Sequence, residues 1–338
     1  MTVAQERVAV VVNGNAKRVT DDLVEILDQI VRSGDLFVSR SLEEGQDIAR
    51  RIVERGYPTV LTGGGDGTFT QMVTWIVRAA NERGVEPPRF GFLKLGTGNA
   101  LAWALGAQAG AVADLGRLKS EGGSRALRLL EVEDVMTPFA GFGADALALK
   151  HFNDVKNAFS KVPVLRRYGT GGLAYAVSIV GLSMPKVLVQ PHQHVRITNL
   201  GEPAVRLGVD GQPVGAPVEA GEVLYDGPFR GVLLSTIPYW GFGARIFPFA
   251  EDREDRFELR IVDIGSVDVA WNIREIWKGT YRDARLHDFL AEEVLIQFDE
   301  PQPFEIGGDA YGERKELRAR IAKKPIRVVD YYAPPPVA

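Results

Sequence analysis

Thr59-Val60-Leu61-Thr62-Gly63-Gly64-Gly65-Asp66-Gly67-Thr68 is a short apolar strand run that breaks into glycine. It leads straight into Phe69, Met72, Val73, Ile76 and Val77, the spacing of one apolar helix face. Three consecutive glycines between strand and helix let the backbone approach a ligand and adopt positive φ. Their amides, with the helix start, form an anion site suited to phosphate. Thr68 can cap the helix or donate to a phosphate. Asp66 is out of place in a pure anion site unless it faces Mg²⁺, a water or a ribose.

The same alternation extends on both sides. Val8-Ala9-Val10-Val11-Val12 is a continuous apolar run, as expected of a parallel strand buried on both faces. Thr20 can cap a helix carrying Leu23, Ile26, Leu27, Ile30 and Val31, and Asp35-Leu36-Phe37-Val38-Ser39 reads as the next strand. A helix over Ile48, Ala49, Ile52 and Val53 precedes the glycine loop. Arg89-Phe90-Gly91-Phe92-Leu93 follows as a fourth strand, ending in a second loop, Gly96-Thr97-Gly98-Asn99. This βαβαβαβα order predicts an open parallel sheet with helices on both faces. Both loops then fall at the carboxyl edge, where such sheets bind ligands.

Beyond Gly122-Gly123-Ser124 the pattern changes to β-type runs at 127–132, 187–189, 194–198, 232–237, 257–262 and 294–298, punctuated by turns such as Asp210-Gly211. One helical segment, about 173–182, interrupts them. The expected fold is α/β: a parallel-sheet domain (1–125) followed by a mainly antiparallel β domain (126–325), with the site between them. The Pro334-Pro335-Pro336 tail reads as extended.

Bulk properties narrow the function. The 338 residues are 45% hydrophobic and 25% charged with net charge −4, which suits a globular protein and argues against a general nucleic-acid binder. Cysteine is absent, so disulfides and thiolate metal sites are excluded. No run reaches the roughly 18 apolar residues of a spanning helix. The expectation is a cytoplasmic protein whose membrane contact, if any, is peripheral. Lys150, Lys156, Lys161, Arg166 and Arg167 around Phe152, Phe159, Val162 and Leu165 could meet an anionic surface. His192 and His194 share a strand face without enough neighbours for zinc. Trp240, Phe242, Phe247 and Phe249 could line a lipid pocket, although aromatic residues in a β domain usually form core.

Together the paired loops resemble the diacylglycerol kinase catalytic family, which includes bacterial lipid kinases and sphingosine and ceramide kinases. Gly64-Gly65-Asp66-Gly67-Thr68 matches its nucleotide loop, and Leu95-Gly96-Thr97-Gly98-Asn99-Ala100 looks like its second loop. Asn13-Gly14 is similar to its first-strand turn, and Ser41 falls where members place a nucleotide-contacting threonine. Residues 139–145 and 172–175 resemble β-domain landmarks. The resemblance implies a nucleotide-binding α/β domain (1–125) followed by a β-sandwich substrate domain (126–325), with a C-terminal segment (about 326–338) that returns to the first. It also implies transfer of the γ-phosphoryl group of ATP, with Mg²⁺, to a lipid hydroxyl. Nucleotide contacts would come from Asn13, Ser41, Gly63 to Thr68, Thr97 and Asn99. The family's late Asp-Gly-Glu motif, whose glutamate is the general base, aligns with Gly308-Asp309 and makes Asp309 the base. A shifted alignment would leave Tyr311 there, with Glu313 as substitute. Asp66 would help organise Mg²⁺. The family's metal segment corresponds to residues 248–256, giving Glu254 by its side chain and Glu251 and Arg256 by backbone carbonyls. Two arginines stand there in place of its Asp-Gly turn. Ala100 replaces an aspartate, and Lys94 could neutralise phosphate charge. A non-lipid acceptor as in NAD kinases, a catalytically inactive nucleotide-binding regulator, and a homodimer are all compatible with the same motifs.

Overall fold

The apolar runs at the start of the chain become the centre of a parallel sheet. A computed structural model describes residues 7–16, 18–31, 35–118, 123–143 and 193–332. Strands β1 (Val8–Asn13), β2 (Leu36–Ser39), β3 (Thr59–Gly64) and β4 (Arg89–Lys94) pair in parallel in the order β2-β1-β3-β4. Helices α1 (Asp21–Ile30), α2 (Leu42–Glu54), α3 (Asp66–Glu82), α4 (Ala100–Leu105) and α5 (Ala111–Leu118) connect or cover them. Thr20 caps α1, its hydroxyl accepting from the Leu23 amide at 3.2 Å. Buried Phe69 on α3 meets Phe90 and Phe92 of β4 at ring separations of 6.4 and 6.3 Å, locking helix to sheet.

The chain leaves this sheet after β5 (Gly123–Leu127) and enters a second with β6 (Leu130–Val132), so it crosses between them at residues 128–129. The second domain holds β7 (Val135–Thr137), β8 (Phe139–Gly143), β9 (Gln193–Asn199), β10 (Val205–Leu207), β11 (Val223–Phe229), β12 (Gly231–Ser235) and β13 (Phe257–Val262). After short helices α6 (Ser266–Trp271) and α7 (Ile273–Lys278) come β14 (Leu286–Ala291), β15 (Glu293–Ile306) and β16 (Asp309–Ile321). These strands form one antiparallel sheet that folds over its own core of Phe142, Phe257, Phe289, Phe304 and aliphatic neighbours. Long β15 makes the fold-over possible, because its first half pairs with β9 and its last residues pair with β8. Finally β17 (Ile326–Asp330) re-enters the first sheet between β4 and β5.

Trp240, Phe247 and Phe249 are core rather than pocket, with Trp240 packed on Phe139 at 4.7 Å. His194 on β9 faces Asp226 on β11 at 3.0 Å. The helix expected at 173–182, the strand at 187–189, the basic cluster at 150–167, the landmark at 172–175, His192 and the proline tail lie outside the described residues. No helix among the described residues is long and apolar enough to cross a membrane.

Candidate active site between two glycine loops

Strand β3 runs through Gly63 and Gly64, and α3 begins at Asp66. None of Gly63, Gly64, Gly65 and Gly67 has positive φ, contrary to the sequence expectation. Close approach is the reason for them instead. A Cβ on Gly63 would stand 2.8 Å from Val12, and one on Gly64 would overlap Thr68. Thr68 is therefore not the cap. Its hydroxyl lies back over Gly64 and accepts from Asn13 Nδ2 at 3.2 Å, tying the first strand to the loop. The N-cap is Gly65, with no side-chain acceptor, so the leading amides of a 17-residue helix face outward as an anion site.

The second loop packs on the first, backbone on backbone. A Cβ at Gly96 would lie 2.7 Å from Gly65 N. Asn99 sits in the left-handed region (φ 51°) and its amide clamps the turn, accepting from Gly96 N at 3.1 Å and donating to Gly96 O at 2.8 Å. It is thus not a side-chain cap for α4. That role falls to Asp66, whose two oxygens accept from the Ala100 and Leu101 amides, each at 2.9 Å. Asp66 is a buried strut between the loops, which explains a carboxylate inside an anion site. Sequence reasoning missed this, because the partner amides carry no side-chain signal.

Burial pushes the Asp66 carboxyl up to about 6, outweighing the amides that lower it, with nearby Asp309 adding to the rise. The folded state therefore prefers the protonated form. This contribution to stability is fully present below about pH 4 and is lost as pH rises through about 6. Asp66→Asn should remove that slope. In paired denaturation curves the wild type loses about 3 kcal/mol relative to the variant between pH 4 and 7; parallel pH profiles would show that Asp66 is not the titrating group.

The second domain supplies the carboxylate that faces this pair of loops. Gly307 (φ 58°) and Gly308 (φ 83°) form the two-residue turn of the β15–β16 hairpin, the geometry of a type I′ turn. Gly307 N donates to Phe139 O at 3.0 Å, and a Cβ at Gly307 would lie 2.6 Å from Thr70 Oγ1 on α3. The tip is thereby wedged onto α3 and β8. Asp309 follows directly, exposed, with its carboxylate over Gly67, where an added Cβ would lie 2.7 Å from Asp309 Cγ. Tyr311 is half-buried near Phe304, and Glu313 is exposed farther along β16 opposite Pro303.

Another contact was not anticipated. Phe242 N donates to Gly98 O at 2.8 Å, so the loop after β12 closes over the second glycine loop. Phe242 holds φ 55°, a strained value for a bulky residue and of the kind that clusters at functional sites.

Other expected contacts have these places. Thr97 is exposed at the tip of the second loop. Ser41 caps α2, accepting from Glu44 N at 3.1 Å, and stays exposed. Lys94 donates to Gln108 Oε1 at 2.8 Å and lies 5.4 Å over the Trp103 ring, so its charge is already engaged. Residues 251–256 form a turn beside β5. Glu251 pairs with Arg125 at 3.6 Å, while Asp255 is held by Arg253 at 3.0 Å and Arg256 at 2.7 Å. Among the described residues no three acidic, histidine or cysteine side chains cluster to hold a metal. A donor set this rich in guanidinium does not suit Mg²⁺ at Glu251, Glu254 and Arg256.

With this geometry in hand, the likenesses to known proteins are informative. Residues 7–132 match the diacylglycerol kinase catalytic domain model. No curated protein matches the sequence. Two solved structures of Bacillus anthracis str. Sterne proteins, each assigned as a diacylglycerol kinase, share the fold at 13% identity. One has a TM-score of 0.66, covering 97% of this chain and 98% of the other. The second has a TM-score of 0.62, with 96% and 97% covered. The glycine loops, the Asp66 strut and the first four strands thus lie within a segment, residues 7–132, that belongs by sequence to the diacylglycerol kinase catalytic-domain family.

Proposed function

We propose that this protein is an ATP-dependent kinase that transfers the γ-phosphoryl group to a hydroxyl of a lipid. The observation that carries the reading is the meeting of Asp309 with Gly67 at the uncapped start of α3. The α3 amides can hold phosphate, and a carboxylate from the other domain stands within reach of whatever is attached to it. Phosphoryl transfer asks mainly for alignment and charge neutralisation, plus a base for the acceptor proton. Asp309 receives that proton; Asp66 fixes the loops. Asp66 and Asp309 are the carboxylates that would neighbour Mg²⁺ at this site, where it would supply charge neutralisation.

Exposed apolar residues on α6 and α7 support a lipid acceptor. Val267 is 59% exposed, Trp271 82%, Ile273 46% and Trp277 42%. Arg274 and Lys278 flank the tryptophans. Trp277 O accepts from Arg245 N at 2.8 Å, which links these helices to the loop that closes on Gly98. Tryptophan with basic neighbours is the composition that settles at a lipid–water boundary. Trp271→Glu with Trp277→Glu should lower activity on vesicle-borne lipid at least about tenfold and leave a short-chain soluble acceptor unaffected. Equal loss on both acceptors would remove the support these residues lend.

Purified protein with labelled ATP, Mg²⁺ and a panel of diacylglycerol, sphingoid base, ceramide and NAD tests the whole reading. Label should enter a lipid. Label entering only NAD would overturn the lipid acceptor, and nucleotide binding with no transfer would overturn catalysis.

A further inference from the structure

Away from the glycine loops, a cleft of about 230 Å³ opens between the domains where β5 faces the turn before β13. Arg125, Arg128, Arg253, Arg256, Glu251 and Glu254 line it with backbone from both sides. Four guanidinium groups face two carboxylates, and Asp255 beside them leaves one positive charge in excess.

The arginines differ in how fully they are used. Arg253 is spent on Asp255 through two hydrogen bonds of 3.1 and 3.0 Å. Arg128 donates to Ala322 O and Lys323 O at 3.2 and 3.1 Å. Arg125 donates to Ala104 O at 2.8 Å, at the end of α4, and Arg256 to Asp255. The Nε–H groups of Arg125 and Arg256, however, are buried without a hydrogen-bond partner. Arg256 is only 7% exposed. Two unmet charged donors in the walls of one cleft are costly, since a buried donor without a partner keeps its full desolvation penalty.

We infer that this cleft is a binding site for a phosphate-type oxyanion, standing where the family resemblance would put a metal ion. A tetrahedral oxyanion offers several acceptors, and guanidinium forks match that geometry. Hard dications are repelled by the same groups. Arg125 also holds the α4 carbonyl Ala104 O, and α4 is the helix capped by Asp66. The site therefore lies one short helix away from the glycine loops. Its existence does not depend on the kinase reading.

Inorganic phosphate is the probe, titrated at constant ionic strength with sodium chloride so that general screening is held fixed. Thermal melting of wild type, Arg125→Gln, Arg256→Lys and Glu254→Gln is followed, with MgCl₂ as the parallel titrant. The expected result is a saturable rise in melting temperature with phosphate, whose half-saturation weakens at least about tenfold in Arg125→Gln and Arg256→Lys. Half-exposed Arg125 guards against a mere folding defect at Arg256. A rise of equal half-saturation in all variants would locate the ion elsewhere, the glycine loops included, and overturn the inference. So would an absent rise, or a Mg²⁺ effect that Glu254→Gln abolishes.

Discussion

Asp309→Asn lowers kcat by about 10²–10⁴-fold, the range a positioned general base contributes, while leaving the melting temperature unchanged. The side chain is exposed and the substitution keeps its shape, so little packing is lost. Nucleotide affinity should hold or rise, because a negative charge leaves the neighbourhood of the α3 amides that receive phosphate. A second readout ties the effect to this site. Asp309 is one of the groups that raise Asp66, so in the variant the Asp66 titration moves below its wild-type position of about 6. A variant with full kcat would sink the assignment and turn attention to Tyr311 and Glu313. A variant that loses nucleotide affinity along with kcat would mean that Asp309 supports binding rather than proton transfer.

Much of the first domain could be read directly, because a parallel strand buried on both faces leaves a continuous apolar run and each helix a single stripe. The runs at Val8 to Val12 and Thr59 to Leu61 became β1 and β3 for that reason. Adjacent strands ending in glycine loops also located the ligand edge. What those glycines do was not readable. Positive φ and close approach select the same residue type, and only the neighbouring backbones of Gly65 and Gly96 tell them apart. Asp66 illustrates a related limit: its partners are main-chain amides at Ala100 and Leu101, and alanine and leucine give no hint of a hydrogen bond. The arginine cleft is a third kind of case. Arg253 and Arg256 could be read only as a departure from a metal segment, and nothing in their sequence shows that Arg125 and Arg128, from a distant stretch, meet them across a cleft. Helices α6 and α7 were missed because six residues give no periodicity to read.

Two alanine substitutions at glycines of the paired loops should fail in opposite ways. At Gly67 the new methyl would overlap Asp309 Oδ2 and stand 2.7 Å from its Cγ, with Oδ1 at 3.2 Å. All three atoms belong to the end of one exposed side chain, which can turn aside where main chain could not. Alanine also suits the first turn of α3 better than glycine, by up to about 1 kcal/mol. Gly67→Ala should therefore match or exceed wild-type stability and yet lose kcat to about the extent of Asp309→Asn, since it swings the same carboxylate away. At Gly96 the methyl would meet Gly65 N at 2.7 Å and Asn99 Oδ1 at 2.9 Å. One is main chain, and the other is fixed by its hydrogen bond to Gly96 N. Neither can yield without parting the loops, so Gly96→Ala should cost about 1–3 kcal/mol of stability and weaken nucleotide binding as well. The double variant Gly67→Ala/Asp309→Asn decides whether the first effect passes through Asp309. If it does, adding Gly67→Ala to Asp309→Asn costs almost nothing more, because the group it displaces has already lost its function. Full multiplication of the two losses would show instead that Gly67 is needed for the approach of the phosphate itself.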